Sequence, residues 1–340
     1  MIDVAALQSW MDERGLGAGP VHNVRGIAGG SQNIMVRFER DEREYVLRRG
    51  PLHPRPYSNT AILRETRVLA ALAATDVPHP RLIQACDDPT VLGGSVFYLM
   101  EPIDGFNASV ELPPLHAGSE AVRRDMAFAL VDALAALGAV DHRAVGLADF
   151  GKPDGFLERQ VPRWLAELDS YHSPAFTPRI PNVSAVADWL TARRPTRWTP
   201  GIMHGDYHAA NVMFARTNPT VAAIVDWEMA TIGDPLLDLG WLLASWRLPD
   251  VQGVFGGPFA RSANLPTTAE LAHRYSQQTR RDMTHLRWYT VLACFKLGIL
   301  LEGTWARAHA GKAPMEVGEQ LHTTTLRLFE RATALIEESA

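Results

Sequence analysis

Basic charge, cysteine and long apolar runs are all scarce in this sequence, and each scarcity removes a class of function. Across 340 residues, 33 lysines and arginines face 38 aspartates and glutamates, a formal net charge of −5. Proteins that grip a nucleic-acid backbone do so with clustered Lys and Arg, so nucleic acid is not an expected partner. The two cysteines, Cys86 and Cys294, sit in apolar segments far apart along the chain. They read as buried free thiols rather than a disulfide framework, which fits a reducing cytoplasm. The most apolar helical stretch, 291–301, contains Lys296 and falls short of the ~20 residues that span a bilayer, so no membrane segment is expected. The opening Met1-Ile2-Asp3-Val4 lacks the basic start and apolar core of a secretory signal.

What is present is an ordinary globular composition, 46% hydrophobic and 21% charged, in a chain long enough for two lobes around a cleft. Helical spacing at Val4, Leu7 and Met11 predicts a short leading helix before Gly15. The period then changes to alternation: Ile34, Val36 and Phe38 form one strand face, and Tyr45, Val46 and Leu47 follow a charged turn, as in a hairpin. A helix is predicted over 60–75, ending before Val77-Pro78-His79-Pro80, with further strands over 81–86 and 95–100. Glu101-Pro102-Ile103-Asp104-Gly105 punctuates the chain, and beyond it helical patterns dominate. The fold class is therefore α+β, with a β-rich lobe over 1–104 carrying one main helix and a mostly helical lobe over 105–340. Helices are predicted at 119–140, 154–170, 183–194, 235–247, 267–310 with a break near Met283, and 314–337.

A short β-like region, 201–225, interrupts the helices and holds the chemistry. His204-Gly205-Asp206 precedes Asn211 by a loop's length, and Ala223-Ile224-Val225 runs into Asp226-Trp227-Glu228, then Gly233-Asp234-Pro235. A lone His-Gly-Asp is a common turn and a lone Asp after a strand a common cap; all three in register are more specific. Phosphoryl transfer asks of a protein mainly a carboxylate to orient and deprotonate the acceptor hydroxyl, and oxygen ligands for a divalent metal. Asp206, Asn211 and Asp226 supply these parts. His204 is expected to orient the loop, and Asp234 to cap the next helix and brace the loop.

This run resembles the Brenner-type signature of aminoglycoside phosphotransferases, choline and homoserine kinases and their relatives. The resemblance implies a bilobal protein-kinase-like fold, an ATP- or GTP-dependent phosphotransferase using Mg2+, Asp206 as catalytic base, and Asn211 and Asp226 as metal ligands. In the first lobe, Gly29, Gly30 and Ser31 lie between strand patterns where backbone amides can approach phosphate. Arg48 and Glu65 resemble the strand cation and helix carboxylate that position phosphates in kinases, although Arg stands where kinases use Lys. Glu101 and Ile103 resemble the hinge that meets the adenine edge.

Several further stretches, including Val46-Leu47-Arg48-Arg49, Tyr98-Leu99-Met100-Glu101 and Gly146-Leu147-Ala148-Asp149-Phe150-Gly151, resemble bacterial phosphotransferases related to the kinase-like domain fused to certain acyl-CoA dehydrogenases. That likeness implies a small-molecule hydroxyl acceptor, such as a hydroxyacyl compound. The late helices are not conspicuously acidic, which suits a neutral or anionic acceptor better than a polycationic drug. Lys296 is read either as a contact to an acceptor anion or as a snorkelling flank residue, and Arg159 and Arg163 as partners of acidic neighbours. A nucleotide-binding pseudokinase and a macrolide or aminoglycoside resistance enzyme stay open as alternatives, as does the choice between monomer and homodimer.

Overall fold

The computed structural model describes residues 2–27, 33–51, 57–174, 176–248, 255 and 257–338. The chain begins with α1 (Val4–Asp12), capped by the Asp3 side chain accepting from the Ala6 amide at 3.0 Å. Five antiparallel strands follow: β1 (His22–Gly26), β2 (Ile34–Arg40), β3 (Arg43–Arg49), β4 (Leu82–Cys86) and β5 (Phe97–Met100), in the order β1-β2-β3-β5-β4. Arg40 pairs with Arg43, so the β2–β3 hairpin turns on Asp41 and Glu42 alone. Both adopt positive φ, the twist a two-residue hairpin needs.

Alternation along β3 and β5 gives the sheet two apolar faces. Leu47, Phe97 and Leu99 meet Leu7, Trp10 and Met11 of α1. Val46, Tyr98 and Met100 turn to the opposite face, where α2 (Ser58–Leu72) buries Ile62, Val68, Leu69 and Leu72. That second cluster does not end with the sheet but runs on into the helical part of the chain.

The helical part contains α3 (Pro114–Ala117), α4 (Glu120–Ala139), α5 (Gln160–Asp169), α6 (Val183–Ala192), α7 (Leu236–Ser245), α8 (Gly257–Ala260), α9 (Thr268–Gln278), α10 (Leu286–His309) and α11 (Met315–Glu337). Every residue of α10 from Trp288 to Ile299 is buried, so α10 is a central helix packed on α7 and α11. Two small sheets are set among the helices: β6 (Phe106–Asn107) with β8 (Val212–Phe214) and β9 (Val221–Ile224), and β7 (Gly201–Met203) with β10 (Thr231–Gly233). The architecture is α+β, strand-rich first and helical after, as the sequence predicts.

Local chemistry explains the departures. The helix predicted over 154–170 starts only at Gln160, because Pro153 and Gly155, at φ +64°, hold the preceding residues in turns. Strands β6 and β10 were not expected; each is two or three residues long and exists through pairing with a distant segment. Both cysteines are buried and free. Among the described residues, no helix is long and apolar enough to cross a membrane.

Candidate functional site

Strand β7 delivers His204-Gly205-Asp206 to the edge of the helical part, and the surrounding groups fix this loop from several sides. Gly205 sits at φ +86°, and a Cβ there would lie 2.4 Å from the Met229 carbonyl oxygen, so only glycine fits. The Asp238 carboxylate, buried in α7, accepts from the His204 amide at 2.6 Å and the Gly205 amide at 2.9 Å. Lys296 of α10 donates to the Gly205 carbonyl at 3.0 Å. The His204 ring contacts the Val225 carbonyl through Nε2 at 2.9 Å and receives the Asp206 amide on Nδ1 at 3.3 Å. This fixes the Nε2–H tautomer and ties the loop to the strand ahead of Asp226.

The 3-10 turn Ala209–Asn211 then brings Asn211 back against the loop. Its amide nitrogen donates at 3.0 Å to both the Asp206 carbonyl and Asp206 Oδ2 and lies 3.3 Å from His208 Nε2. His208 Nε2 lies 3.4 Å from the other Asp206 oxygen. Burial alone would raise the Asp206 carboxyl, but His208, His204 and Lys296 outweigh it and hold the group well below the usual carboxylate range. Asp206 is thus ionised, with one oxygen bonded to Asn211 and the other beside His208.

Asp226 follows β9 in the left-handed conformation, φ +67°, at the start of the 3-10 turn Trp227–Met229. Arg48 from β3 spans the gap to it. Its Nη2 donates to Asp226 Oδ1 at 2.6 Å, and its Nε lies 2.9 Å from Glu65 Oε2, an ion contact without hydrogen-bond alignment. Glu65 in turn accepts from the Trp227 amide at 3.1 Å and from the Tyr98 hydroxyl at 3.4 Å. Arg48 and Glu65 are therefore a buried pair joined to Asp226. Burial pushes Glu65 up to about 7 against the pull of Arg48. Burial works against the Arg48 charge too, yet Glu65, Tyr98 and Asp226 hold it firmly cationic.

At the strand-to-helix junction the Glu101 amide is committed to the Arg81 carbonyl at 2.9 Å, and its side chain pairs outward with Arg43 at 2.9 Å. The Ile103 amide makes no backbone hydrogen bond among the described residues. Gly29, Gly30 and Ser31 lie outside the described residues; Asn33, just beyond them, reaches Glu228 at 3.5 Å. Asp234 accepts from the Leu236 amide at 3.0 Å and the Tyr289 hydroxyl at 2.5 Å. It caps α7 and ties it to α10, while the carboxylate that braces the catalytic loop is Asp238, one turn further on. The reason is reach: Asp238 faces the β7 end, and Asp234 faces α10.

Two more groups join the site. Glu228 is raised by burial and by the neighbouring negative charges of Asp226 and Asp206. Lys296 is buried, not snorkelling, and lies over the Trp241 ring at 4.4 Å. The donors on this side are hard oxygens, the Asn211 amide oxygen, Asp226 and Glu228; Arg48 offsets part of the carboxylate charge, and the ligand type suits Mg2+. Among the described residues no three His, Cys, Asp or Glu side chains could by themselves cage a metal. Mg2+ beside a bound phosphate needs only one or two protein carboxylates. Beside the loop opens a cavity of about 1150 Å3, walled by Phe150, Phe156, Trp164, Gly205, Glu228 and Lys296 among others.

Comparison with known proteins agrees with this geometry. The model of the phosphotransferase enzyme family (APH) matches residues 23–289. Acyl-CoA dehydrogenase family member 10 of Mus musculus is 28% identical over 308 residues, covering 89% of this chain and 28% of that protein. The chain spans less than half the length of the acyl-CoA dehydrogenase relatives it matches. A Ralstonia eutropha structure assigned provisionally to the aminoglycoside phosphotransferases superposes with a TM-score of 0.81 at 30% identity, covering 98% of this chain and 99% of that one. A thermostable mutant of aminoglycoside phosphotransferase APH(4)-Ia, in ternary complex with ADP and hygromycin B, shares the fold at a TM-score of 0.61 and 12% identity, covering 96% of this chain and 97% of that one. With most of its length matched, the chain belongs to the phosphotransferase enzyme family.

Proposed function

We propose that this chain is an ATP-dependent O-phosphotransferase acting on a hydroxyl of a small metabolite, with 1–104 as the nucleotide side and 105–340 as the catalytic and acceptor side. The observation that supports the reading is that Asn211 is bonded to Asp206, that the Val225 amide beside Asp226 donates to the Asn211 carbonyl at 2.9 Å, and that Asp226 is linked through Arg48 to Glu65. Asp206 receives the proton of the acceptor hydroxyl as its oxygen attacks the γ-phosphorus. The bond from that phosphorus to the β,γ-bridging oxygen breaks, leaving a phosphate ester and ADP. Asn211 and Asp226, with Glu228 beside them, would hold Mg2+, which would supply charge neutralisation for the phosphates. Arg48 meets the α- and β-phosphates, steadied by Glu65. The base edge of ATP or GTP meets the backbone at Glu101 and Ile103, and Gly29, Gly30 and Ser31 cover the phosphates.

A hydroxyacyl compound is the acceptor class that the likeness to the acyl-CoA dehydrogenase relatives supports. A drug acceptor is the second reading, supported by the 30% identical aminoglycoside phosphotransferase relative. Purified protein with Mg2+, γ-labelled ATP and a metabolite pool separates them. The leading reading expects label on a hydroxylated metabolite with wild type and none with Asp206→Ala. Label appearing only on added aminoglycosides or macrolides establishes the second reading, and label on nothing, with nucleotide still bound, marks a nucleotide-binding module without transfer.

A further inference from the structure

The charges on the wall of the 1150 Å3 cavity do not cancel. Asp149 is held by Arg67 at 2.6 Å and Glu158 by Arg194 at 3.5 Å. Glu228 faces Asp226 and Asp206. On the basic side, Arg64 is spent on the carbonyls of Phe150 and Ala230, each at 3.1 Å, and Arg159 on those of Lys152 and Asp154. Of the remaining cations on the wall, Lys152, Arg163 and Lys296, none forms an ion pair with a carboxylate among the described residues, and Arg163 and Lys296 share the Trp164 ring. Arg163 stacks on Trp164 with its guanidinium carbon 5.1 Å from the ring centre. Lys296, only 6% exposed, has one oxygen partner among the described residues, the Gly205 carbonyl, and otherwise the faces of Trp241 at 4.4 Å and Trp164 at 5.5 Å. An ammonium carries three donors, so this one keeps donors in hand toward the cavity. Burying the ammonium is costly, and Asp206 and Asp238 offset that cost only in part, so a further anion from a ligand is favourable.

We propose that Lys296 and Arg163 form an anion subsite for the acceptor, which binds as a hydroxylated carboxylate with its hydroxyl turned to Asp206. The inference rests on the phosphotransferase reading above and narrows its acceptor. Lys296 bonds the carbonyl of the residue immediately before Asp206, so anion and reacting hydroxyl are separated by only a few bonds. A coenzyme A thioester of the same acid also carries anions, but its phosphates lie a long arm away from its hydroxyl, so the free carboxylate fits better. Burial and the positive charge of Arg163 draw Lys296 down to about 8 against the pull of Asp206 and Asp238, and a bound carboxylate relieves that strain.

The test is calorimetric binding and labelled-ATP turnover with short ω-hydroxyalkanoates, their methyl esters, their coenzyme A thioesters and the amino alcohols of equal length, for wild type, Arg163→Gln and Lys296→Met. The free acids are expected to bind about tenfold or more tightly than esters and amino alcohols, a gap of the size a charge-assisted contact gives. Arg163→Gln, an exposed position whose loss leaves the fold intact, is expected to erase most of that preference through KM. Lys296→Met is expected to lower kcat as well, because it also releases the Gly205 carbonyl. Equal binding of acids and esters, a preference for amino alcohols or thioesters, an unchanged preference in Arg163→Gln, or no binding by any of the panel overturns the subsite. Preferred binding of acids without phosphate transfer keeps the subsite and overturns the phosphotransferase reading; transfer without preference does the reverse.

Discussion

At the scale of single residues, the site is a set of charges each held by a named partner. Asp206 combines burial with an ionised state because His208, His204 and Lys296 surround it. Asp206→Asn removes the proton acceptor while keeping the shape, and kcat is expected to fall by about a thousandfold, within the usual range for loss of a general base. Nucleotide affinity, read by calorimetry, is expected to stay within about threefold; equal losses in both point to a folding defect instead. Arg48 reaches Glu65 and Asp226 from different nitrogens of one planar group. A lysine offers one point charge and cannot span both. Arg48→Lys is therefore expected to raise the KM for ATP several-fold with a smaller effect on kcat, and an unchanged KM contradicts the placement of Arg48 on the phosphates.

At the scale of elements, rigid pieces hold the loop. Asp238→Ala strips acceptors from the His204 and Gly205 amides, and leaving two such groups buried and unmet costs about 2–5 kcal/mol. Denaturant unfolding measures it, and a loss below 1 kcal/mol contradicts the bracing role. Between α10 and α11, buried Glu302 contacts His322 at 2.7 Å, and its second oxygen has no hydrogen-bond partner among the described residues. Burial raises the Glu302 pKa above its ordinary 4.5. Its stabilising contribution is then complete below about 4.5 and is lost as pH rises through the folded-state value. Melting of Glu302→Gln against wild type is expected to favour the variant more at about pH 8 than at about pH 5, and a pH-independent difference contradicts this. These elements also show what the sequence could reveal. His204, Asp206, Asn211 and Asp226 stand close together in the chain, and strand runs and a short loop fix their spacing, so their chemistry was readable. Asp238 reaches the loop from 34 residues away and Lys296 from 91. In the sequence each is one charge in an apolar helix, and only packing tells a brace or a ligand contact from a flank. The pairing of Arg159 and Arg163 with acids failed for the same reason: Glu158, in the turn before α5, pairs with Arg194, and Arg159 bonds backbone carbonyls.

At the scale of the whole molecule, the strand-rich and helical parts meet at the site. Arg48 joins Asp226, Asn33 reaches Glu228, and Arg64 bonds the Phe150 and Ala230 carbonyls, while the Ile224 amide reaches the Pro78 carbonyl at 2.9 Å. A nucleotide binding there engages both parts at once, so ATP with Mg2+ at about a hundred times its Kd is expected to add about 2.7 kcal/mol to stability. Thermal shift reads it, and a shift in one of two separate transitions contradicts a shared site. The central claim, that Asp206 deprotonates an acceptor poised over a nucleotide held by Asn211 and Asp226, is tested most directly by single-turnover transfer of labelled phosphate from prebound ATP to a hydroxylated acceptor in wild type and Asp206→Asn. The account predicts rapid transfer in the first and transfer slowed by about a thousandfold in the second with nucleotide equally bound; equal transfer rates in the two contradict it.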